Sequence, residues 1–227
     1  MPIGSCFPLS FVTSEVNVYR KIPAGLALVC FLFIASAAWK HEHRMPSVRA
    51  AAIDGPAYTS SGDLLPPSNY RAWIYLTSGI DMSYTPKAAG MDHSMFDNIF
   101  VNPAAYHSFL ATGTWPDKTV LVLEVRGAQS KGSINQRGQY QDTDVMDFEV
   151  HVKDETRFPG KWAFFSFDSP TSKGTLIPSG APCYSCHLAH GAVDTTFVQF
   201  YPTLLPIAQK KGTLSPAFLQ ETASTRE

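Results

Sequence analysis

The residues best suited to chemistry stand late in the chain, where Cys183, Cys186 and His187 lie within PCYSCHLAH, residues 182–190. Two thiols separated by two residues and followed at once by an imidazole form the pattern of covalent haem attachment. In that chemistry each sulfur bonds a haem vinyl group and the histidine reaches the iron. Two intervening residues let both sulfurs face one porphyrin edge, and the next residue places its ring beneath the macrocycle. Cys183 and Cys186 are therefore candidate attachment sites for one haem c, and His187 is the candidate iron ligand. Other uses of these residues are weaker. A disulfide across a two-residue loop is strained and leaves His187 unexplained. A zinc site of Cys183, Cys186 and His187 or His190 lacks the second Cys/His pair that small structural sites supply. A thioredoxin-like pair belongs near the first strand and helix of a βαβ unit, whereas this pair follows the whole apparent sheet.

The other two cysteines, Cys6 and Cys30, fall in an N-terminal stretch that reads as a targeting segment. Arg20 and Lys21 precede an uncharged run from Ile22 to Trp39, after which Lys40, His41, Glu42, His43 and Arg44 restore polarity. Roughly 18 residues at 1.5 Å each cover about 27 Å, on the border between a signal-peptide core and a short membrane anchor. Ala35 and Ala37 supply a small-x-small cleavage pattern. Residues 1–39 are thus expected to be a signal peptide or anchor, and the remainder to lie in the periplasm or otherwise outside the cytoplasm. Haem c attachment agrees with that location. The chain is 44% hydrophobic and 16% charged, enough apolar residue for one main core. Eighteen basic against 19 acidic residues leave a formal charge of −1, so no electrostatic footprint for nucleic acid is present.

The elements that must position the motif come before it. Residues 40–67 read as a linker, and from residue 45 they are rich in Ala, Ser, Gly and Pro, an extended or mobile composition. The haem domain is expected over 68–213, with a tail over 214–227. Ser68 as a cap, Tyr70, Trp73, Ile74 and Thr77 at helical spacing and Gly79 as a stop predict a helix over 69–78. Residues 80–96 read as a loop and 99–101 as a short strand. Asn102, Pro103 and Gly113 frame a helix in PAAYHSFLAT. Residues 118–126, 145–153 and 161–167 are β-branched and aromatic, separated by turn residues, and predict antiparallel strands. Tyr201-Pro202 opens a terminal helix ending at Gly212. The fold class is therefore α+β, an antiparallel sheet flanked by helices.

Alternation on the strand 145–152 puts Met146, Phe148, Val150 and Val152 on one face and Asp147, Glu149 and His151 on the other. If the polar face looks into a haem pocket, Glu149 or Asp147 serves as a proton donor or acceptor on the distal side, its pKa raised by burial; otherwise all three face solvent. Phe164 and Phe165 either cap the iron or pack in the core. Met91, His93 and Met95 are loop residues from which a sixth iron ligand could come. His190 is expected to orient His187 or to meet a propionate, if it takes part at all.

The order of YRAW, FVNPAAY, TWPDKTVLVLEVR, MDFEVHVKD, GKWAFFSF and a late CYSCH resembles the cytochrome P-460 family over roughly residues 70–212. The resemblance implies a mostly antiparallel sheet with flanking helices, often dimeric, holding a five-coordinate haem c with an open distal side. It implies small nitrogen or oxygen ligands such as nitric oxide, hydroxylamine or peroxide, and a redox partner protein. Glu149 matches the family's distal acidic group. Cytochrome P-460 enzymes proper cross-link a lysine to the haem near the strand after Trp-Pro-Asp. Here the interior of that strand, Thr119 to Val125, has none, and Lys118 and Lys131 only flank it. The resemblance therefore also covers the related cytochromes c′-beta, which lack the cross-link and bind nitric oxide. A six-coordinate electron carrier is the alternative.

Overall fold

A computed structural model describes residues 54–83 and 94–224, within a compact unit running from Ala52 to Glu227. The expected targeting segment, the first half of the linker and the candidate ligands Met91 and His93 lie outside the described residues.

Six strands pair in chain order as an antiparallel meander. They are β1 (Ile74–Ile80), β2 (Met95–Val101), β3 (Val120–Gln129), β4 (Tyr140–Lys153), β5 (Trp162–Phe167) and β6 (Thr175–Leu176). Helices flank the sheet: α1 (Pro103–Thr112), α2 (Pro182–His190), α3 (Leu205–Lys211) and α4 (Pro216–Ser224). The α+β expectation holds. So do β3, β4 and β5 and the framing of α1, where Asn102 is extended, Pro103 opens the first turn and Gly113 closes the helix at φ 79°.

Local signals lost to tertiary ones at the start of the sheet. The stretch 69–78 is no helix but a single 3-10 turn, Tyr70–Ala72, leading into β1. The spacing of Tyr70, Trp73, Ile74 and Thr77 fits a helix by coincidence, because Tyr70 and Trp73 enter a core on one face of the sheet while Leu76 enters the core on the other. The Ile-Tyr-Leu-Thr run has the β-branched and aromatic character of a strand, and pairing with β2 decides the matter. Gly79 is not a helix stop. It lies opposite Asp97, where a Cβ would come within 2.4 Å of Met82 Sδ. The loop expected over 80–96 likewise gives way to β2 from Met95. Residues 54–67 lie against the domain: Leu64 is bridged to Tyr58 and Gly174 and is buried. The tail contains α4, whose Phe218 packs on the core.

The period-2 alternation of the strands builds two cores. Val120, Val122, Phe148, Val150, Val152, Ala163, Phe165 and Phe167 face one way, covered by Leu64, Tyr70 and Trp73. Leu76, Val101, Leu121 and Trp162 face the other way, against α1, α3 and the segment Ala192–Leu204. The second face leads to α2 and its motif.

Candidate functional site

The functional face of the sheet is built in cross-strand rows. Leu121 pairs with Val101 on one side and His151 on the other, and His151 pairs with Phe164. In the next row Leu123 lies between Ile99 and Glu149, and Ile99 opposes Thr77. In the third row Val125 lies between Asp97 and Asp147, and Asp97 opposes Gly79. A cavity of about 270 Å³ lies over these rows. Thr77, Asp97, Ile99, Leu121, Leu123, Glu149, His151 and Phe164 line it from the sheet, and His187, Thr196, Phe197, Phe200 and Tyr201 line it from the helical side. Of the polar face of β4, Glu149 and His151 therefore look into the cavity, whereas Asp147 is exposed and does not line it.

The motif occupies α2, a nine-residue helix opened by Pro182. Cys183 and Cys186, three apart, share one helical face; both are half-buried and unbridged. The disulfide reading is thus not realised. Nor do Cys183, Cys186, His187 and His190 converge on a bare ion, since no group of three or more His, Cys, Asp or Glu side chains among the described residues could hold one.

His187 is held from behind. Its Nδ1 lies 2.8 Å from the Thr195 carbonyl oxygen. A carbonyl only accepts, so Nδ1 carries the proton and Nε2 is left as the bare nitrogen of a side chain that lines the cavity. Burial lowers the His187 pKa, partly opposed by the Thr195 bond, and keeps the ring neutral. Phe197 lies against the ring at 4.1 Å between centroids, and Phe164 meets it at 4.7 Å, edge to face.

The loop carrying Thr195 is itself braced. Thr196 accepts from Trp115 Nε1 at 2.8 Å and donates to the Val193 carbonyl at 2.8 Å. Ser215 Oγ donates to the Gly191 carbonyl at 2.7 Å, and Gln199 accepts from Ala192 N at 3.1 Å. Gly191 is required by close approach, because a Cβ there would stand 2.7 Å from the His187 carbonyl oxygen and 2.9 Å from Thr196 N. Tyr184, between the two cysteines, ties α2 to the sheet: its hydroxyl accepts from Phe164 N at 3.2 Å and donates to the Ile177 carbonyl at 3.0 Å.

Among the described residues, neither Glu149 nor Asp97 forms an ion pair, and the charges that act on them are acidic. Burial, then the Asp147 charge, raises the Glu149 pKa. Burial, then Asp81 and Asp147, raises that of Asp97. His151 is buried, and burial followed by the proximity of His187 pushes its pKa well down, so it is a neutral imidazole.

Several expectations separate here. Phe164 lines the cavity, but Phe165, its neighbour, points to the opposite core and cannot cap the site. His190 does not orient His187; its Nδ1 lies 3.0 Å from Glu221 on α4, and the Thr195 carbonyl takes the orienting part. Met95 belongs to β2 and is not among the cavity residues, whereas Met82, not singled out by spacing, is. Lys118 is paired with Asp154, and the Lys131 carbonyl accepts from Tyr140; neither lysine lines the cavity. Thr195 and Asp97 escaped sequence reading. Thr195 acts through a backbone carbonyl, which residue type does not encode, and Asp97 fell between the loop expected over 80–96 and the short strand expected over 99–101, assigned to neither.

An antiparallel sheet with a cavity on one face, closed by a Cys-x-x-Cys-His helix, defines a sheet-based haem protein. A family model described as Cytochrome P460 matches residues 67–198, and the chain belongs to the cytochrome P460 family. The match takes in every cavity row and the whole of α2. No curated protein matches the chain. The residues fit the haem that the family implies: two unbridged thiols on one helical face, a neutral imidazole with its outer nitrogen satisfied, and an apolar-walled cavity beside them.

Proposed function

We propose that the protein is an exported mono-haem c-type cytochrome that binds or redox-transforms a small nitrogen or oxygen species, such as nitric oxide, hydroxylamine or peroxide. Cys183 and Cys186 would hold the haem through thioethers, and His187 Nε2 would bind its iron. The observation that carries the reading is the Nδ1 bond from His187 to the Thr195 carbonyl, the outer contact that haem and metal histidines use to fix ring and tautomer. Bound haem supplies one-electron chemistry and a coordination position for the small ligand.

The chain's own residues do the rest. Ile99, Leu123 and Phe164 give the cavity apolar walls. Glu149 holds a proton more readily than a solvated glutamate, because burial and Asp147 disfavour its charge, and it exchanges that proton with the bound species. No lysine lines the cavity among the described residues, which favours a cytochrome c′-beta-like role over a lysine-cross-linked hydroxylamine oxidase. The N-terminal segment directs export and is cleaved or serves as an anchor. A redox partner protein exchanges electrons with the haem, and the chain forms a homodimer as its relatives often do.

The six-coordinate electron carrier has one observation in its favour, the thioether of Met82 beside the cavity. Resonance Raman spectra of the ferrous holoprotein decide between the two readings. Five-coordinate high-spin iron is expected; a low-spin six-coordinate spectrum that resists nitric oxide and is lost in Met82→Ala supports the carrier. Cys183→Ala with Cys186→Ala should abolish the haem-staining band under denaturing conditions, and a surviving band refutes the attachment.

A further inference from the structure

His151 has no part in the assignments above, yet it is the best-braced side chain at the site. It is 8% exposed, and its ring stacks on Phe164 at 3.9 Å with an interplanar angle of 9°. Trp162 lies 4.4 Å from it on another side. The stack presents its edge to His187: the two imidazole centroids are 5.2 Å apart at 76°. Thr195 touches both histidines. Its carbonyl takes the His187 Nδ1 proton at 2.8 Å, and its hydroxyl meets His151 Nε2 at 3.5 Å.

We propose that His151 is a positioning residue for His187, fixing the plane of the axial imidazole through its stack with Phe164 and its contact with Thr195. The inference rests on the reading that His187 binds iron. Rotation of the His187 ring is opposed by Phe197 against its face and by Phe164 and His151 at its sides. A hydrocarbon at position 151 keeps that packing but has no ring nitrogen for the Thr195 hydroxyl to meet. The Thr195 side chain then loses that contact, and the aim of its carbonyl on Nδ1 is left to the other bonds of the loop. A histidine whose Nδ1 proton is well held is the more electron-rich ligand, so the held geometry strengthens the bond to iron. The distance of 3.5 Å marks the hydroxyl contact as a weak bond that steers orientation more than it stabilises.

The test uses purified holoprotein and separates packing from hydrogen bonding. His151→Phe keeps an aromatic ring on Phe164 and removes the ring nitrogen. Thr195→Val removes the hydroxyl and keeps both the β-branch and the backbone carbonyl. Each should move the iron–histidine stretching band of the ferrous form to lower frequency and change carbon monoxide affinity by about 10-fold, the low end of outer-shell effects. The double variant should do no more than either alone, and Thr195→Ser should restore the wild-type band. An unchanged band in Thr195→Val and His151→Phe, with haem attached, overturns the proposal. Should His151→Phe fail to fold, Thr195→Val against Thr195→Ser carries the same decision. Wild-type holoprotein without any iron–histidine band would instead overturn the assignment of His187 itself.

Discussion

Glu124 and Glu149 stand on adjacent strands, one residue apart in register, since Glu149 pairs with Leu123. They meet opposite surroundings. Glu124 is 1% exposed on the far face, where the Tyr70 hydroxyl, the Arg71 guanidinium and Arg126 Nε all donate to its carboxylate. Burial alone would raise its pKa, but the bonds from Arg126 and Tyr70 and the charges of Arg126 and Arg71 outweigh burial and hold it below the usual range. Glu149 points into the cavity, with no ion pair or hydrogen bond to its side chain among the described residues, and its pKa is raised. The sheet thus gives one residue type two states by alternation alone. The donor-rich face fixes a charge as structure, and the donor-poor face leaves a carboxyl able to exchange a proton.

The sharpest break of this comparison comes from neighbours that point opposite ways. Phe165→Ala should cost about 3–5 kcal/mol in urea denaturation, because a fully buried ring on the far face leaves a cavity that strands cannot collapse. Phe164→Ala, on the cavity side, should cost less, about 2 kcal/mol, while altering the haem spectrum that Phe165→Ala leaves intact. Equal spectral effects would mean that the two faces are not separate.

Glu124→Gln should cost about 3 kcal/mol at neutral pH by leaving the half-buried Arg126 cluster uncompensated. A depressed folded pKa contributes stability above the unfolded value and loses it as pH falls through the folded value, so this gap closes in acid. Glu149→Gln should do the reverse on a scale under about 1 kcal/mol. A raised folded pKa contributes stability below the unfolded value and loses it as pH rises through the folded one. The variant should therefore match wild type in acid and melt slightly higher at neutral pH. Thermal melts of both variants from acid to neutral pH should show profiles of opposite sign; profiles of the same sign would break the comparison.

Much of this was legible beforehand. Asn102, Pro103 and Gly113 bounded α1, and β-branched runs marked β3 to β5, because these signals are local and mutually consistent. The motif announced itself by residue type and spacing. The rest depended on pairing. Ile74–Ile80 is a strand because β2 lies beside it, and with β1 unread and only residues 99–101 of β2 read as strand Asp97 could not be placed opposite Asp147 across Val125. Alternation on β4 identified the two faces of the strand but not which one faced the cavity. Thr195 was invisible because its decisive atom belongs to the backbone.

The helix that carries the cysteines has no buried residue and only nine residues of its own. So short a helix is marginal in water unless something packs on it. The meander before it pairs each strand with its neighbour in sequence, a topology of short-range closures that forms fast. The place of α2 is set by what it lies on: the Tyr184 hydroxyl joins Phe164 N to the Ile177 carbonyl and His187 Nδ1 meets the Thr195 carbonyl, so the thiols are presented by a helix whose order is borrowed from the sheet and the loop beside it.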